Sequence, residues 1–327
     1  MIVSNFISRF STTIKILCLV GIAYLLYSQF TSGKGIMAIQ SLFQGSNNSL
    51  KPAFLLITIF LMPINWWLEA FKFKKLMSPH LNISTRHATA TVLAGIAAGI
   101  VTPGRVGEYA GRLLTSDSDR KTEVISATLL GSIAQNLCNI VVGLLFSYFF
   151  LKSTIDVTYD NTFTFVTLVT IQVVLLVSIY YHLPQVAHFM ERFLGNRYIH
   201  SISPKLKALD LYKNSLLNVV LGISAVRYLI YFLQYLCIMK FLGVESSFTD
   251  LAGNISGIYM IQTGIPLPAF LSVMARGELA VLVWAGIGVD SITALGATFS
   301  LWCINLVIPT LVGMAIILAS DLKKYVK

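Results

Sequence analysis

Six stretches of this 327-residue sequence are long and apolar enough to cross a lipid bilayer, or nearly so. A helix needs about 20 apolar residues to span the roughly 30 Å hydrocarbon core. Segments 14–30, 52–72, 123–151, 162–182, 216–242 and 293–319 approach or meet that length. Hydrophobic residues make up 56% of the chain and charged residues 12%, about half the roughly 25% charged content of a soluble domain. That balance excludes disorder and argues against a soluble enzyme. The net charge of +10 would suit a soluble nucleic-acid binder, but the apolar runs would not, so no nucleic-acid partner is expected. Cys18, Cys138, Cys237 and Cys303 all sit inside apolar runs and make no disulfide framework. The reading is an all-α polytopic membrane protein forming one integral domain over 1–327.

The N-terminal segment imitates a signal peptide, because Arg9 and Lys15 precede the apolar run from Ile16 to Leu26. The following Tyr27-Ser28-Gln29-Phe30 has no small-x-small cleavage pattern, so the segment reads as an uncleaved first span.

Two further apolar regions, 88–114 and 251–289, are each interrupted by proline and charge. Their arms are about 10–15 residues, or about 15–23 Å at 1.5 Å per residue, too short to cross. Each therefore reads as a re-entrant helical hairpin that enters and leaves on one side. With both hairpins returning to their own side, sixteen Lys/Arg fall on the side of both termini and four on the other. Arg105, Arg112, Arg227 and Arg276 remain at membrane depth. This positive-inside bias predicts a protein of the cell (inner) membrane with cytoplasmic N- and C-termini. Span, span, hairpin, span occurs twice, over 14–151 and over 162–319. Each unit crosses an odd number of times, so the second is inverted relative to the first. An inverted-topology repeat with broken helices is a transporter signature.

The hairpins carry related chemistry. The first reads Thr102-Pro103-Gly104-Arg105-Val106-Gly107-Glu108, followed by Arg112. The second reads Gln262-Thr263-Gly264-Ile265-Pro266-Leu267-Pro268, then Ala275-Arg276-Gly277-Glu278. Thr102, Pro103, Gly104, Gly107, Pro266 and Pro268 are the residues expected to break the hairpins, since proline interrupts the helical ladder and glycine admits close backbone approach. A returning helix presents free N–H groups and a positive dipole end. An arginine beside it makes an anion site suited to phosphate. Arg105 and Arg276 are the leading ligand contacts. Glu108 lies i+3 from Arg105 and i−4 from Arg112, so on-helix pairing explains it as well as ligand binding does. Arg276 and Glu278 are i, i+2 and point apart. Arg227, mid-span and too deep to snorkel, needs an acidic or phosphate partner. Gln135, Asn139 and Gln262 read as supporting polar groups, chiefly interhelical hydrogen bonds. Glu69 sits beside Lys72 at the end of its span and reads as half of a solvated ion pair.

The run Thr102-Pro-Gly-Arg-Val-Gly-Glu-Tyr-Ala-Gly-Arg112 resembles the first signature of the flippase-like family named for the transmembrane region of lysylphosphatidylglycerol synthase: a Pro, then Arg-x-Gly-Glu, then a second Arg. Ile265-Pro-Leu-Pro268 and Ala275-Arg-Gly-Glu278 resemble its second signature, although Pro268-Ala-Phe-Leu-Ser-Val-Met replaces the family's Pro-Gly-Gly-x-Gly turn. The resemblance implies movement of a modified phospholipid between leaflets, with Arg105, Glu108, Arg112, Arg276 and Glu278 lining the head-group site. It implies a separate head-group-modifying enzyme as partner, because the lysyl-transferring domain of fused members is not expected in a chain ending at Lys327. Membrane lipids and a homo-oligomer are the other partners considered.

A membrane-embedded enzyme on a lipid-linked substrate, either a transferase or a polyprenyl-pyrophosphate phosphatase, is the alternative. Against it, His80, His87, His182, His188 and His200 fall in loops, and no Asp lies within a span. The expectation is a non-enzymatic lipid translocator without metal or cofactor.

Overall fold

A computed structural model describes residues 51–100, 102, 105–115, 121–155, 162–191, 210–264 and 269–325. The expected first span and the hairpin residues Pro103, Gly104, Pro266 and Pro268 lie outside these residues. The described residues are helical, with no strand among them. In chain order the helices are α1 Lys51–Met77, α2 Thr85–Gly99, α3 Gly107–Leu114, α4 Lys121–Leu145, α5 Ser147–Ile155, α6 Thr162–Tyr181, α7 Leu183–Glu191, α8 Asn214–Phe241, α9 Phe248–Gly264, α10 Ala269–Ala285, α11 Ser291–Trp302 and α12 Ile308–Tyr325. Five described segments are long and apolar enough to cross a membrane: Pro52–Met77, Lys121–Leu145, Thr162–Tyr181, Asn214–Phe241 and Ser291–Ala319. The protein is integral to a membrane.

The boundaries follow local chemistry. Ser84 caps α2 by accepting from the His87 N–H at 3.2 Å, and Asp290 caps α11 by accepting from the Thr293 N–H at 2.9 Å. Ser247 opens α9 in the same way, accepting from the Asp250 N–H at 3.1 Å. Between α11 and α12 the chain widens into a π-helical turn, Cys303–Val307. Pro309 follows immediately and has no N–H to give the ordinary ladder. The expected span 123–151 divides into α4 and α5, and the basic stretch after α6 begins with the short helix α7.

The first interrupted region is an antiparallel pair of short helices. A Cβ added at Gly107 would strike the Ala98 carbonyl, and one at Gly111 the Ala94 carbonyl, so the two backbones touch. With 15 and 8 residues, the arms measure about 22 and 12 Å. The second region, α9 and α10, has arms of 17 residues each, about 25 Å and longer than the sequence suggested. Its arms lean less on each other: α9 packs chiefly on α4 and α5, and α10 on α11.

Two apolar cores organise the bundle. One joins Ala70, Phe73 and Leu76 of α1, Val92 of α2, Leu130 of α4 and Val220 of α8. The other joins Tyr228 and Tyr235 of α8, Ile255 of α9, Trp284 of α10 and Ala297 of α11. Helix α8 runs through both, packed lengthwise on α1. Most of α6 is exposed and apolar, with Phe163 at 80%, the surface expected of a helix in contact with lipid.

Candidate functional site

Charge gathers where the two cores meet. On α8, Val220 belongs to one core and Tyr228 to the other, with Arg227 between them. Its guanidinium donates to four groups. Nε reaches Asn65 Oδ1 at 2.9 Å, Nη1 reaches Glu69 Oε2 and Gln135 Oε1 (the latter at 3.0 Å), and Nη2 reaches Tyr231 OH at 3.1 Å. Glu69 is the hub. Oε2 also holds Lys72 Nζ at 2.8 Å, and Oε1 takes Arg112 Nη2 at 2.9 Å. Lys72 spends a second hydrogen on the Gly131 carbonyl at 3.1 Å.

The reading of Glu69 and Lys72 as a solvated ion pair is therefore corrected. Lys72 is 1% exposed and Glu69 12%. Their i, i+3 spacing was a sound local signal, but helices 43 and 158 residues away in sequence bring two arginines onto the same carboxylate. The sequence offered one clue that was not used: Glu69 is the single acidic residue within segment 52–72. An acid at that depth requires a partner.

The first hairpin supplies the rest. Thr102 secures the turn: its hydroxyl accepts from the Gly107 N–H at 2.7 Å and donates to the Gly99 carbonyl at 3.3 Å. Arg105 follows in the left-handed region, φ 58°, the one non-glycine residue with positive φ among those described. Such a backbone costs of order 1 kcal/mol or more. It directs the side chain to a half-exposed position, 3.5 Å from Glu108. Glu108 is ion-paired with Arg112 as well. Arg112, 3% exposed, is clasped by Glu108 and Glu69 with its guanidinium 4.9 Å from the Phe73 ring centre. Both on-helix pairings expected around Glu108 are present, and Arg112 sits as a structural clasp.

From the second half comes Arg276. It is partly buried on α10, within electrostatic reach of Arg105, Tyr231 and Tyr259. No hydrogen bond or ion pair to it occurs among the described residues. Glu278, two residues on, is exposed. Gln135 and Asn139 belong to the network: Gln135 Nε2 donates to the Ser224 carbonyl at 3.3 Å, and Asn139 Nδ2 to Thr263 Oγ1 at 3.0 Å, tying α4 to α9. Gln262 lies beside Thr263 on α9, half-buried.

These contacts form a continuous circuit of pairs from Arg105 through Glu108, Arg112, Glu69 and Arg227 to Tyr231. Neighbours along it are opposite charges or a hydrogen-bonding hydroxyl, and Arg276 stands outside those pairs.

The sequence profile of the lysylphosphatidylglycerol synthase TM region matches residues 13–313, which takes in both hairpins and every residue of the circuit. The chain belongs to that family. No curated protein matches the chain. Within the lysylphosphatidylglycerol synthase TM-region family the Arg-x-Gly-Glu turn of this chain is thus the corner at which a buried ion network opens toward the second hairpin.

Proposed function

We propose that the protein moves the head group of a phospholipid or lipid-linked substrate between membrane leaflets, binding it as an anion between the two hairpins. The observation that carries this reading is that each half brings an arginine not fully paired off: Arg105, half-exposed 3.5 Å from Glu108, and Arg276, partly buried with no hydrogen bond or ion pair among the described residues. Cations at the edge of a desolvated cluster are stabilised by an anion, and guanidinium forks match phosphate oxygens.

An inverted repeat, 14–151 and 162–319, with re-entrant hairpins supplies the movement. Several correspondences support it. Each hairpin's first arm packs against the last span of the other half, α2 on α12 and α9 on α4 and α5. Gly313 of α12 meets Leu93 and Ala97, whereas Gly143 of α4 meets Met260. Ala97 and Met260 stand at the same distance beyond the capping serines Ser84 and Ser247. Ala127-Thr128 precedes Val142-Gly143 by the same spacing as Ala297-Thr298 precedes Val312-Gly313. Rocking one half against the other around the anion would expose it first to one leaflet and then to the other, while acyl chains stay in the bilayer. The termini face the cytoplasm in this reading, as the Lys/Arg bias indicates. An enzyme on a lipid-linked substrate is the weaker alternative, because Glu69 and Glu108 are each held by at least two cations and neither is free to act as a base.

Reconstitution of the full chain in vesicles with a head-group-labelled phospholipid tests the reading. Arg276→Gln and Arg105→Gln should each slow leaflet exchange by about tenfold or more, the loss of one charge-assisted contact. Exchange at the unmodified rate in both variants would overturn the assignment.

A further inference from the structure

Helix α4 carries a polar face at membrane depth. Ser132, Gln135, Asn136 and Asn139 stand at i, i+3, i+4 and i+7, on one side of a segment long and apolar enough to cross. Three of them are engaged. Ser132 lies within hydrogen-bonding reach of Tyr109 on the returning arm of the first hairpin. Gln135 accepts from Arg227 at 3.0 Å, and Asn139 donates to Thr263 of the second hairpin at 3.0 Å. Asn136 is the exception. One turn after Ser132 and one turn before Asn139, it stands between the contact that α4 makes with one hairpin and the contact it makes with the other. Its side chain is exposed, and no hydrogen bond to it occurs among the described residues.

Depth makes this costly. In a helix that runs from Lys121 to Leu145, Asn136 is about 22 Å from one end and about 14 Å from the other, too far for a short side chain to reach water at either end. A carboxamide left without partners in hydrocarbon is unfavourable. The remaining neighbours one turn away, Ile133 and Ile140, are apolar, so Asn136 marks the edge at which the polar face of α4 gives way to an apolar one. Gln172 of α6 is also an exposed mid-span amide. Its neighbours one turn away, Leu168, Val169, Leu175 and Leu176, are all apolar, so it continues no polar face.

We propose that Asn136 is a head-group contact that binds an uncharged, hydroxyl-bearing part of the lipid as it passes between the hairpins. The inference rests on the head-group reading above and names what is recognised besides phosphate. A carboxamide adds no charge to the hold of the arginines on an anion. It offers two hydrogens and a carbonyl acceptor. A phosphate oxygen only accepts and would leave the carbonyl without a donor. A hydroxyl both donates and accepts, so it satisfies the two ends of the amide together.

Leaflet exchange by the full chain in vesicles tests this. The probes are acyl-labelled phosphatidylglycerol and phosphatidylmethanol with identical chains, which carry one negative charge each and differ in head-group hydroxyls. The unmodified protein should exchange phosphatidylglycerol about tenfold faster than phosphatidylmethanol, the effect of one or two neutral hydrogen bonds. Asn136→Leu should slow phosphatidylglycerol alone and cut the preference to about twofold, with an unchanged melting temperature in detergent. Asn136→Ala gives the same readout should Asn136→Leu not fold, and Asn136→Gln, which keeps the carboxamide, should retain most of the preference. Equal slowing of both lipids with a lower melting temperature would make Asn136 a structural tie and overturn the proposal. No preference in the unmodified protein, or one that Asn136→Leu leaves intact while Arg276→Gln slows both lipids, would overturn the proposal and leave the head-group reading standing. Exchange indifferent to Asn136→Leu, Arg105→Gln and Arg276→Gln alike would overturn both.

Discussion

The helices beside the two interrupted regions meet through different chemistry. Beside the first hairpin, the helices meet through Glu69, Lys72, Glu108 and Arg112. Beside the second they meet through aromatic rings: Tyr235 OH accepts from Trp284 Nε1 at 3.0 Å, Tyr228 OH donates to Ser256 Oγ at 3.0 Å, and Tyr259 OH donates to the Tyr231 carbonyl at 3.1 Å. The same bundle therefore holds a salt-bridged seam and an aromatic one. The charged seam is the costlier one, because each ion must be taken out of water and then fully paired. The second half contributes two cations: Arg227, held by Glu69 and its neighbours, and Arg276, to which no hydrogen bond or ion pair occurs among the described residues.

The sharpest way to break this comparison is to remove the hub. Glu69→Ala leaves Lys72, Arg112 and Arg227 facing one another in a buried space. It should lower unfolding stability in detergent by about 3–5 kcal/mol, the usual cost of stripping one partner from a buried pair. Trp284→Phe in the aromatic seam removes one hydrogen bond and part of a ring, and should cost about 1–2 kcal/mol. Equal losses in a chemical-denaturation series would mean that the two seams do not differ as described.

The crossing glycines sharpen it further. At Gly313 a new Cβ would meet the Leu93 backbone carbonyl, which cannot step aside, whereas at Gly143 it would meet the Met260 side chain, which can. Gly313→Ala should cost about 1–3 kcal/mol and Gly143→Ala less, the ordinary range for overpacking. A thermal-shift comparison of the two variants decides it.

The smallest effect belongs to the cap of α11. Partial burial raises the Asp290 carboxyl, but hydrogen bonds at Thr293 outweigh it and hold the group below the usual carboxylate range. A folded value below the unfolded one stabilises at neutral pH, and the contribution fades as pH falls through the folded value. Asp290→Ala should cost about 1 kcal/mol near pH 7. The gap should close in strongly acidic buffer, as unfolding curves at the two pH values would show.

Some of this was legible from residue order. Apolar runs and proline breaks are local, and five of the six expected spans appear as helices or joined helices, with the remaining one, 14–30, outside the described residues. The pairing of Glu108 with Arg105 and Arg112 is also local, a matter of i−3 and i+4 spacing, although Arg105 reaches it from the turn rather than from the helix. The likeness of the two Arg-Gly-Glu turns was only partly informative. Arg105 stands in the turn before α3, whereas Arg276 stands inside α10, which begins at Ala269. A similar motif at a different helical phase presents its carboxylate differently: Glu108 is 14% exposed and ion-paired, whereas Glu278 is exposed.

By itself the sequence determined that this chain is a membrane protein, where most of its apolar helices lie, and that Arg112 and Arg227 are withdrawn from water. Those properties depend on hydropathy and on neighbours within a few residues. Only the tertiary structure decided that Glu69 is the hub and that no hydrogen bond or ion pair reaches Arg276 among the described residues. An ion pair between residues 158 positions apart exists only once α1 and α8 are packed side by side. Which cation is left over is a property of the whole assembled set.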